Sequence, residues 1–387
     1  MIVVEGLKKR YPGASHSQRA VDDLSFTVQE GEFYTLLGPS GCGKTTTLKC
    51  VAGLERADGG RISLGDTVVV SDQVFVPTHR RDIGMVFQNY AVWPHMNVYD
   101  NVAFPLQVGA RRESKTSQRD KVMNALELVD LGGLEKRMST ELSGGQQQRL
   151  SLARALVREP RVLLLDEPLS NLDAKLRESM RTELSLIQRR LGITALFVTH
   201  DQSEALAMSD RIAVMRDGSI VQEGTPREIY HEPADEFVAS FVGSTNLFHG
   251  EVGASAGEGH VLVETPFGRV ACATDPRVDL AGPVAVTVRP EDVVIHEERP
   301  ADAHEGRMNT FHGVLEIGQF TGASVQYRVT LASGEHLTAL SGSREDLPSG
   351  ARVVVELPVD ACRVIRRARP AADSSDERDA SPAGVVA

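Results

Sequence analysis

Gly38-Pro39-Ser40-Gly41-Cys42-Gly43-Lys44-Thr45 is the stretch on which the reading of this chain turns. It has the spacing G-x-x-x-x-G-K-[ST], and it stands between Glu32-Phe33-Tyr34-Thr35-Leu36-Leu37, which reads as a strand, and Lys44 to Ala52, which reads as a helix. The glycines let the backbone curl so that successive N–H groups point inward, and the helix start adds the positive end of its dipole. Together these favour a polyanionic phosphate. Lys44 is placed to reach the β- and γ-phosphates of a nucleotide, and the Thr45 hydroxyl to ligate Mg²⁺. A chance match in a chain of this length has odds on the order of one in a hundred, so an ordinary Gly-rich turn is the weaker reading.

Working outward, Val162-Leu163-Leu164-Leu165 is a continuous apolar run that suits a central strand buried on both faces, with Asp166 and Glu167 at its carboxyl end. Two adjacent acids leaving a buried strand are costly without a cation or a reaction to serve. Beside a phosphate loop, Asp166 suits a Mg²⁺ partner and Glu167 suits a group that polarises water. Leu172, Leu176, Met180, Leu184, Ile187 and Leu191 recur at helical steps and predict a helix with one buried stripe. Leu142-Ser143-Gly144-Gly145-Gln146 precedes another helix, with Leu150, Ala153, Leu156 and Val157 on one face. Ser143 and Gln146 have capping-box spacing, while the paired glycines expose backbone donors that suit a second anion site; local physics leaves the two readings even.

The whole chain has 387 residues, which at roughly 150 per domain predicts two or three domains. A net charge of −11 is the wrong sign for a protein wrapped around nucleic acid. Cys42, Cys50, Cys272 and Cys362 show neither a disulfide framework nor metal-ligand spacing with histidine, so reduced thiols are expected. The apolar runs are strand-sized, which predicts no membrane-spanning helix, and the first residues lack a signal-peptide pattern.

Up to about Gly243 strand-like runs alternate with helical patterns, as in an α/β domain with a largely parallel sheet. Tyr230 to Val242 reads as a short helix and linker. From Leu247 the pattern becomes short alternating runs: Val284, Val286 and Val288; Val325 to Leu331 joined through Ser333-Gly334 to His336-Leu337-Thr338-Ala339; and Val353-Val354-Val355. One or two small OB-like barrels are expected there. The domains expected are 1–243, 244–369 and a disordered tail over 370–387.

The series Gly38 to Thr45, Gln88, Leu142 to Gln146, Leu163 to Glu167, Ser170-Asn171-Leu172-Asp173 and Thr199-His200-Asp201 resembles an ATP-binding-cassette (ABC) ATPase, over about residues 1 to 243. The resemblance implies an α/β P-loop NTPase with a mostly parallel sheet and a helical signature subdomain, using ATP and Mg²⁺. It implies that two copies pack head to tail, so that Ser143, Gly144, Gly145 and Gln146 bind the γ-phosphate held by the partner's loop. Thr46 extends the phosphate loop. Gln88 would contact Mg²⁺ and the attacking water, His200 the γ-phosphate, and Asp173 the opposite copy. Tyr11 sits where the family places an aromatic that stacks on adenine; plain packing is the alternative. Cys42 occupies a variable position of the loop.

The C-terminal half resembles the transport-associated OB-like domain of bacterial importer ATPases, through Arg289-Pro290-Glu291-Asp292 together with Gln222-Glu223-Gly224-Thr225-Pro226 and Glu228-Ile229-Tyr230. That implies a peripheral subunit at the cytoplasmic face of the inner membrane, docked on integral-membrane permease subunits beside an extracytoplasmic solute-binding protein. Phe87 to His95 and Asn101 to Leu106 are similar to the ferric-ion and polyamine branch, and Trp93 favours ferric ion over polyamine, sugar, sulfate or thiamine. The competing class, a soluble ABC ATPase of DNA repair or translation, would need a long coiled coil between Gln88 and Leu142 or a second cassette in the chain; neither is present.

Overall fold

Phe33–Leu37, Val162–Asp166 and Thr194–Thr199 are buried at every position. Strands of that kind need cover on both faces, which a layered α/β domain supplies. In the computed structural model, which describes residues 1–11, 20–108, 114–257, 259–274, 283–298, 309–342 and 347–367, they are neighbours in a six-stranded sheet. Its order is Ser219–Gly224, Arg211–Arg216, Phe33–Leu37, Thr194–Thr199, Val162–Asp166, Ile83–Val86. Only the outer pair, Ser219–Gly224 with Arg211–Arg216, is antiparallel.

Side chains along these strands divide between two cores. Phe33, Leu163, Leu165, Ala195 and Phe197 face one, shared with the helices Val98–Gln107, Lys115–Leu128 and Gly144–Leu156. Tyr34, Leu36, Val162, Leu164, Leu196 and Val198 face the other, with the helix Lys44–Ala52. The helix Ala174–Leu191 buries Met180, Leu184 and Ile187 as its stripe predicts, but Leu191 is 46% exposed. It is the last helical residue before left-handed Gly192 turns the chain away.

A four-stranded antiparallel sheet, Val21–Val28, Ile2–Lys9, Gly59–Leu64, Thr67–Val70, adds to the expected parallel one. Its two-residue period is hard to read because Ile2–Lys9 carries a register shift between Val4 and Leu7, at left-handed Gly6.

The chain divides into two compact units, Met1–Glu232 and Pro233–Ala387, ahead of the boundary expected at 243. The helix Glu236–Phe241 accounts for the difference, because Ala239 packs with Ala285 and Ile365 of the β domain. The region around Tyr230 to Val242 therefore contains two helices, Pro226–His231 and Glu236–Phe241, in place of one and a linker.

In the second unit the strands Asn246–Gly257, His260–Thr265, Gly268–Ala273, Arg363–Arg366 and Pro283–Val288 close a barrel. Val294–Glu297, Arg352–Glu356, Thr310–Phe320, Ser324–Leu331 and His336–Gly342 form a sheet that stays open, and one core serves both. Val284, Val286 and Val288 face that core, while their neighbours Ala285 and Thr287 are also buried. Arg289, 4% exposed, donates to Ala239 O at 3.1 Å and Ser244 O at 2.9 Å, so this part of the Arg-Pro-Glu-Asp fragment closes the end of a helix.

The expected tail 370–387 lies outside the described residues. Among the described residues no helix is long and apolar enough to cross a membrane. All four cysteines are free and buried.

Candidate active site

Parallel register sets four strand ends side by side: Leu37 pairs with Thr199, Asp166 with Val198, and Val86 with Leu165. The residues that follow are Gly38, His200, Glu167 and, after Phe87, Gln88. Four neighbouring strands thus deliver the four segments singled out in the sequence to one edge, where α/β sheets place ligands.

Gly43 shows why the loop after Leu37 requires glycine: its φ is 105°, and a Cβ there would lie 2.2 Å from Ala20 O. The helix that follows has no side-chain cap and no acid in its first turn, which leaves its leading N–H groups and dipole for an anion. Lys44, 5% exposed, donates to Gly38 O at 2.7 Å and Pro39 O at 2.9 Å, and lies 3.8 Å from Cys42 Sγ. Burial raises the Cys42 thiol pKa despite that neighbour, so the thiol packs in neutral form. Ser40 and Gly41 are exposed, and Thr45 and Thr46 half-buried.

The Thr45 hydroxyl donates to Asp166 Oδ1 at 3.0 Å. Burial raises the Asp166 pKa, and the Thr45 bond opposes the rise. A hydroxyl, a carboxylate and the nearby Gln88 amide oxygen are the hard donors that Mg²⁺ combines with phosphate oxygens and water, so these residues fit that ion.

Glu167 leaves its strand in a left-handed conformation, φ 44°, held by its N–H on Val198 O at 3.0 Å and by the Ser170 hydroxyl on its carbonyl at 2.9 Å. Such a conformation costs a non-glycine residue roughly 1–3 kcal/mol and persists where the surroundings fix it. Its Oε2 accepts from His200 Nδ1 at 3.0 Å and from Gln88 Nε2 at 3.4 Å. Two of the singled-out side chains therefore meet on a carboxylate oxygen of a third.

Ser143 to Gln146 form the capping box: Ser143 Oγ accepts from the Gln146 N–H at 3.4 Å and Gln146 Oε1 from the Ser143 N–H at 3.0 Å. Those bonds stay inside the segment and do not join it to the phosphate loop of its own chain. Ser143 and Gly144 are exposed, whereas Gly145 is buried with Leu176 Cδ2 2.8 Å from where a Cβ would stand. Asp173 caps the helix Ala174–Leu191 by accepting the Leu176 N–H at 3.0 Å. Tyr11 is 38% exposed, its ring 5.4 Å from Lys9 Nζ.

Two residues that spacing rules do not flag tie the site together. Asn171 Nδ2 donates to Gln88 O at 2.9 Å. Arg177 donates to Leu169 O at 3.3 Å and Leu172 O at 2.9 Å, and stands 3.8 Å from Asp201 Oδ2 and 4.0 Å from Glu204 Oε1. It joins the turn after Glu167 to the loop after His200. The one trace in the sequence is a cation in the first turn of a helix, where the dipole disfavours it. A cavity of about 810 Å³, lined by Lys121, Pro160, Arg161, Arg190 and Thr194 among others, lies at the opposite, amino ends of the strands and contains none of these residues.

A family model described as ABC transporter matches residues 21–170, and one described as TOBE domain matches residues 286–365. An Fe(3+) ions import ATP-binding protein of Rhizobium meliloti is 47% identical over 81% of this chain and 84% of its own length. A spermidine/putrescine import ATP-binding protein of Acidothermus cellulolyticus is 46% identical over 87% of this chain and 85% of its own. A solved dimeric post-hydrolysis state of the ATP-binding cassette MJ0796 bound to ADP and Pi superposes with a TM-score of 0.52 at 28% identity, covering 59% of this chain and 99% of that one.

Proposed function

The chain belongs to the ABC transporter family, and on that premise we propose that it is the ATP-hydrolysing subunit of a bacterial importer that works with separate membrane subunits. The observation that carries this reading is the meeting of Gln88 and His200 on Glu167, beside the phosphate loop and Asp166, at one edge of the parallel sheet.

In this reading the phosphates of ATP lie on the backbone N–H groups from Gly38 to Thr46, with Lys44 turning its ammonium from loop carbonyls to the β- and γ-phosphates and Tyr11 stacking on adenine. Thr45, Asp166 and Gln88 would hold Mg²⁺, which when bound offsets phosphate charge. Glu167 accepts the proton of the water that attacks the γ-phosphorus; the bond to the bridging oxygen breaks and ADP leaves. His200 already donates through Nδ1 to Glu167. That bond leaves Nε2 as the ring atom free to face the γ-phosphate, where the transition state gathers negative charge.

A second copy packed head to tail would complete each site with Ser143, Gly144, Gly145 and Gln146, and would meet Asp173. Permease subunits hold the pair peripherally at the cytoplasmic face of the inner membrane, with an extracytoplasmic binding protein delivering cargo. The second unit serves as the OB-like transport-associated domain. The cargo is a cationic solute, ferric ion or a polyamine, in line with relatives of nearly equal identity named for each. Trp93 does not decide between them, because its ring packs against Phe104 at 4.4 Å and under the Arg154 guanidinium at 4.6 Å.

Phosphate release from MgATP by the full-length chain tests the reading. Wild type should turn over and folded Lys44→Ala should not; equal turnover by the two would remove the phosphate-loop assignment.

A further inference from the structure

Immediately after Gln88 and Asn89 the backbone makes a bend that the sequence should resist. Tyr90 and Ala91 are consecutive left-handed residues, φ 56° and 49°, and neither is a glycine. For L-residues each such conformation is disfavoured, and two in a row need an outside agent.

That agent is Arg154, on the helix Gly144–Leu156 that begins at the signature segment. Its Nη1 donates to Ala91 O at 2.6 Å and its Nη2 to Tyr90 O at 2.8 Å, while its guanidinium lies 4.6 Å from the centre of the Trp93 ring. Ser151, one turn earlier on the same helix, adds a bond to Tyr90 O at 2.8 Å. Arg154 is 9% exposed, and among the described residues no carboxylate pairs with it. Burial lowers its pKa to about 10, so it stays charged at neutral pH. A buried cation bonded only to carbonyls is a poor source of stability but a good geometric device. The planar fork offers two N–H groups at a fixed spacing to two successive carbonyls while its flat face lies on the Trp93 ring; a lysine ammonium keeps the charge but neither the fixed spacing nor the flat face.

We propose that Arg154 is a positioning residue that sets where Gln88 stands, by holding the Tyr90–Ala91 bend against its own strain. Gln88 is then fixed from two sides: Asn171 bonds its carbonyl from the turn after Glu167, and the clamped bend holds it from the signature helix. When the signature segment engages a γ-phosphate and its helix shifts, the clamp carries that movement to the amide that faces the Mg²⁺ and the attacking water. This inference rests on the ATPase reading and deepens it by naming the link between the two.

The test uses the full-length chain with Arg154→Lys, Ala91→Gly and the two combined, reading kcat, nucleotide Kd and melting temperature. Arg154→Lys should lower kcat about tenfold, the rate equivalent of losing about 1.4 kcal/mol of positioning, with nucleotide Kd within about twofold of wild type. Ala91→Gly alone should shift kcat by less than about twofold, yet restore part of the loss in the combined variant, because glycine takes one of the two left-handed positions without strain. A merely structural role would lower the melting temperature without the kcat loss or its rescue. Wild-type kcat in Arg154→Lys, or no rescue by Ala91→Gly in a folded double variant, overturns the proposal. Should Arg154→Lys not fold, Ser151→Ala with and without Ala91→Gly makes the same comparison, with an expected loss of about threefold. Lys44→Ala separates the two levels: turnover at the wild-type rate in that variant removes the ATPase reading, and the Arg154 proposal with it. An inactive Lys44→Ala beside a fully active Arg154→Lys removes the Arg154 proposal alone.

Discussion

Arg177→Met should loosen the joint between the turn after Glu167 and the loop after His200. The carboxylates of Asp201 and Glu204 stand 3.8 and 4.0 Å from a guanidinium that is 33% exposed, so screening leaves those ion pairs about 0.2–1 kcal/mol. The larger contribution comes from the bonds to Leu169 O at 3.3 Å and Leu172 O at 2.9 Å. Charge-assisted bonds are worth about 1.5–3 kcal/mol each at best, and solvent access together with the length of the first brings the sum to roughly 2–3 kcal/mol. For a unit of this size that is a fall in melting temperature of roughly 4–12 °C, measured by calorimetry. The same turn carries Asn171, whose amide holds Gln88 O, so kcat should drop about fivefold while nucleotide Kd stays put. Arg177→Lys, which can keep one bond, should fall between. A methionine variant that melts within about 1 °C of wild type and turns over at the wild-type rate would refute this account of the joint.

Three further outcomes follow from the packing. Asp201 Oδ1 accepts from the Ser203 N–H at 2.8 Å, the Ser203 hydroxyl at 2.7 Å and the Glu204 N–H at 3.2 Å, so Asp201→Ala should cost about 1–2 kcal/mol of stability at pH 7 in a denaturant titration. Although burial alone would raise it, these bonds hold the Asp201 pKa below its ordinary 3.8. Its stabilisation is therefore complete above that value and lost as pH falls through the lowered one, and the two proteins should converge in acid. Asn246, 6% exposed, bonds both the N–H and the carbonyl of Thr338 on an edge strand, at 2.7 and 2.8 Å. Asn246→Ala should destabilise the second unit by about 2–3 kcal/mol while leaving ATPase activity within about twofold. Ending the chain after Gly243 should preserve ATP binding, since both cores of the first unit are built from residues before Glu232; a soluble truncated protein that no longer binds ATP would contradict this.

Much of the first unit was legible because its signals are local. The loop Gly38 to Thr45, the run ending in Asp166 and Glu167, and His200 after an apolar strand each sit at the end of a buried parallel strand, and such strands announce themselves as unbroken apolar runs. The antiparallel sheet was not legible, because the shift at Gly6 breaks the alternation by which such strands are recognised. Nor were Arg177 and Arg154, nor the bond by which Asn171, quoted only as part of a motif, holds Gln88: each acts through backbone carbonyls, and carbonyls carry no residue identity. Ser143 posed the opposite problem, since local physics left a helix cap and a second anion site even, and the structure shows the cap. The boundary at 243 followed composition, whereas the division at 232 follows the packing of Ala239, which no pattern within its own short helix reveals.

The most direct test of a composite ATP site is the mass of Glu167→Gln in solution, measured by light scattering with ATP, with ADP and with no nucleotide. The substitution keeps the shape of a side chain that His200 and Gln88 contact and removes the base, a loss of about 10²–10⁴ in rate, so ATP bound between two copies is not cleaved. The account predicts a doubled mass with ATP only, at high protein concentration and moderate salt. It also predicts that adding Ser143→Arg abolishes the shift, because bulk and a charge like that of Lys44 enter the exposed signature position. If the double variant dimerises with ATP as well as the single one does, Ser143 is a helix cap and nothing more, and the composite-site mechanism is wrong.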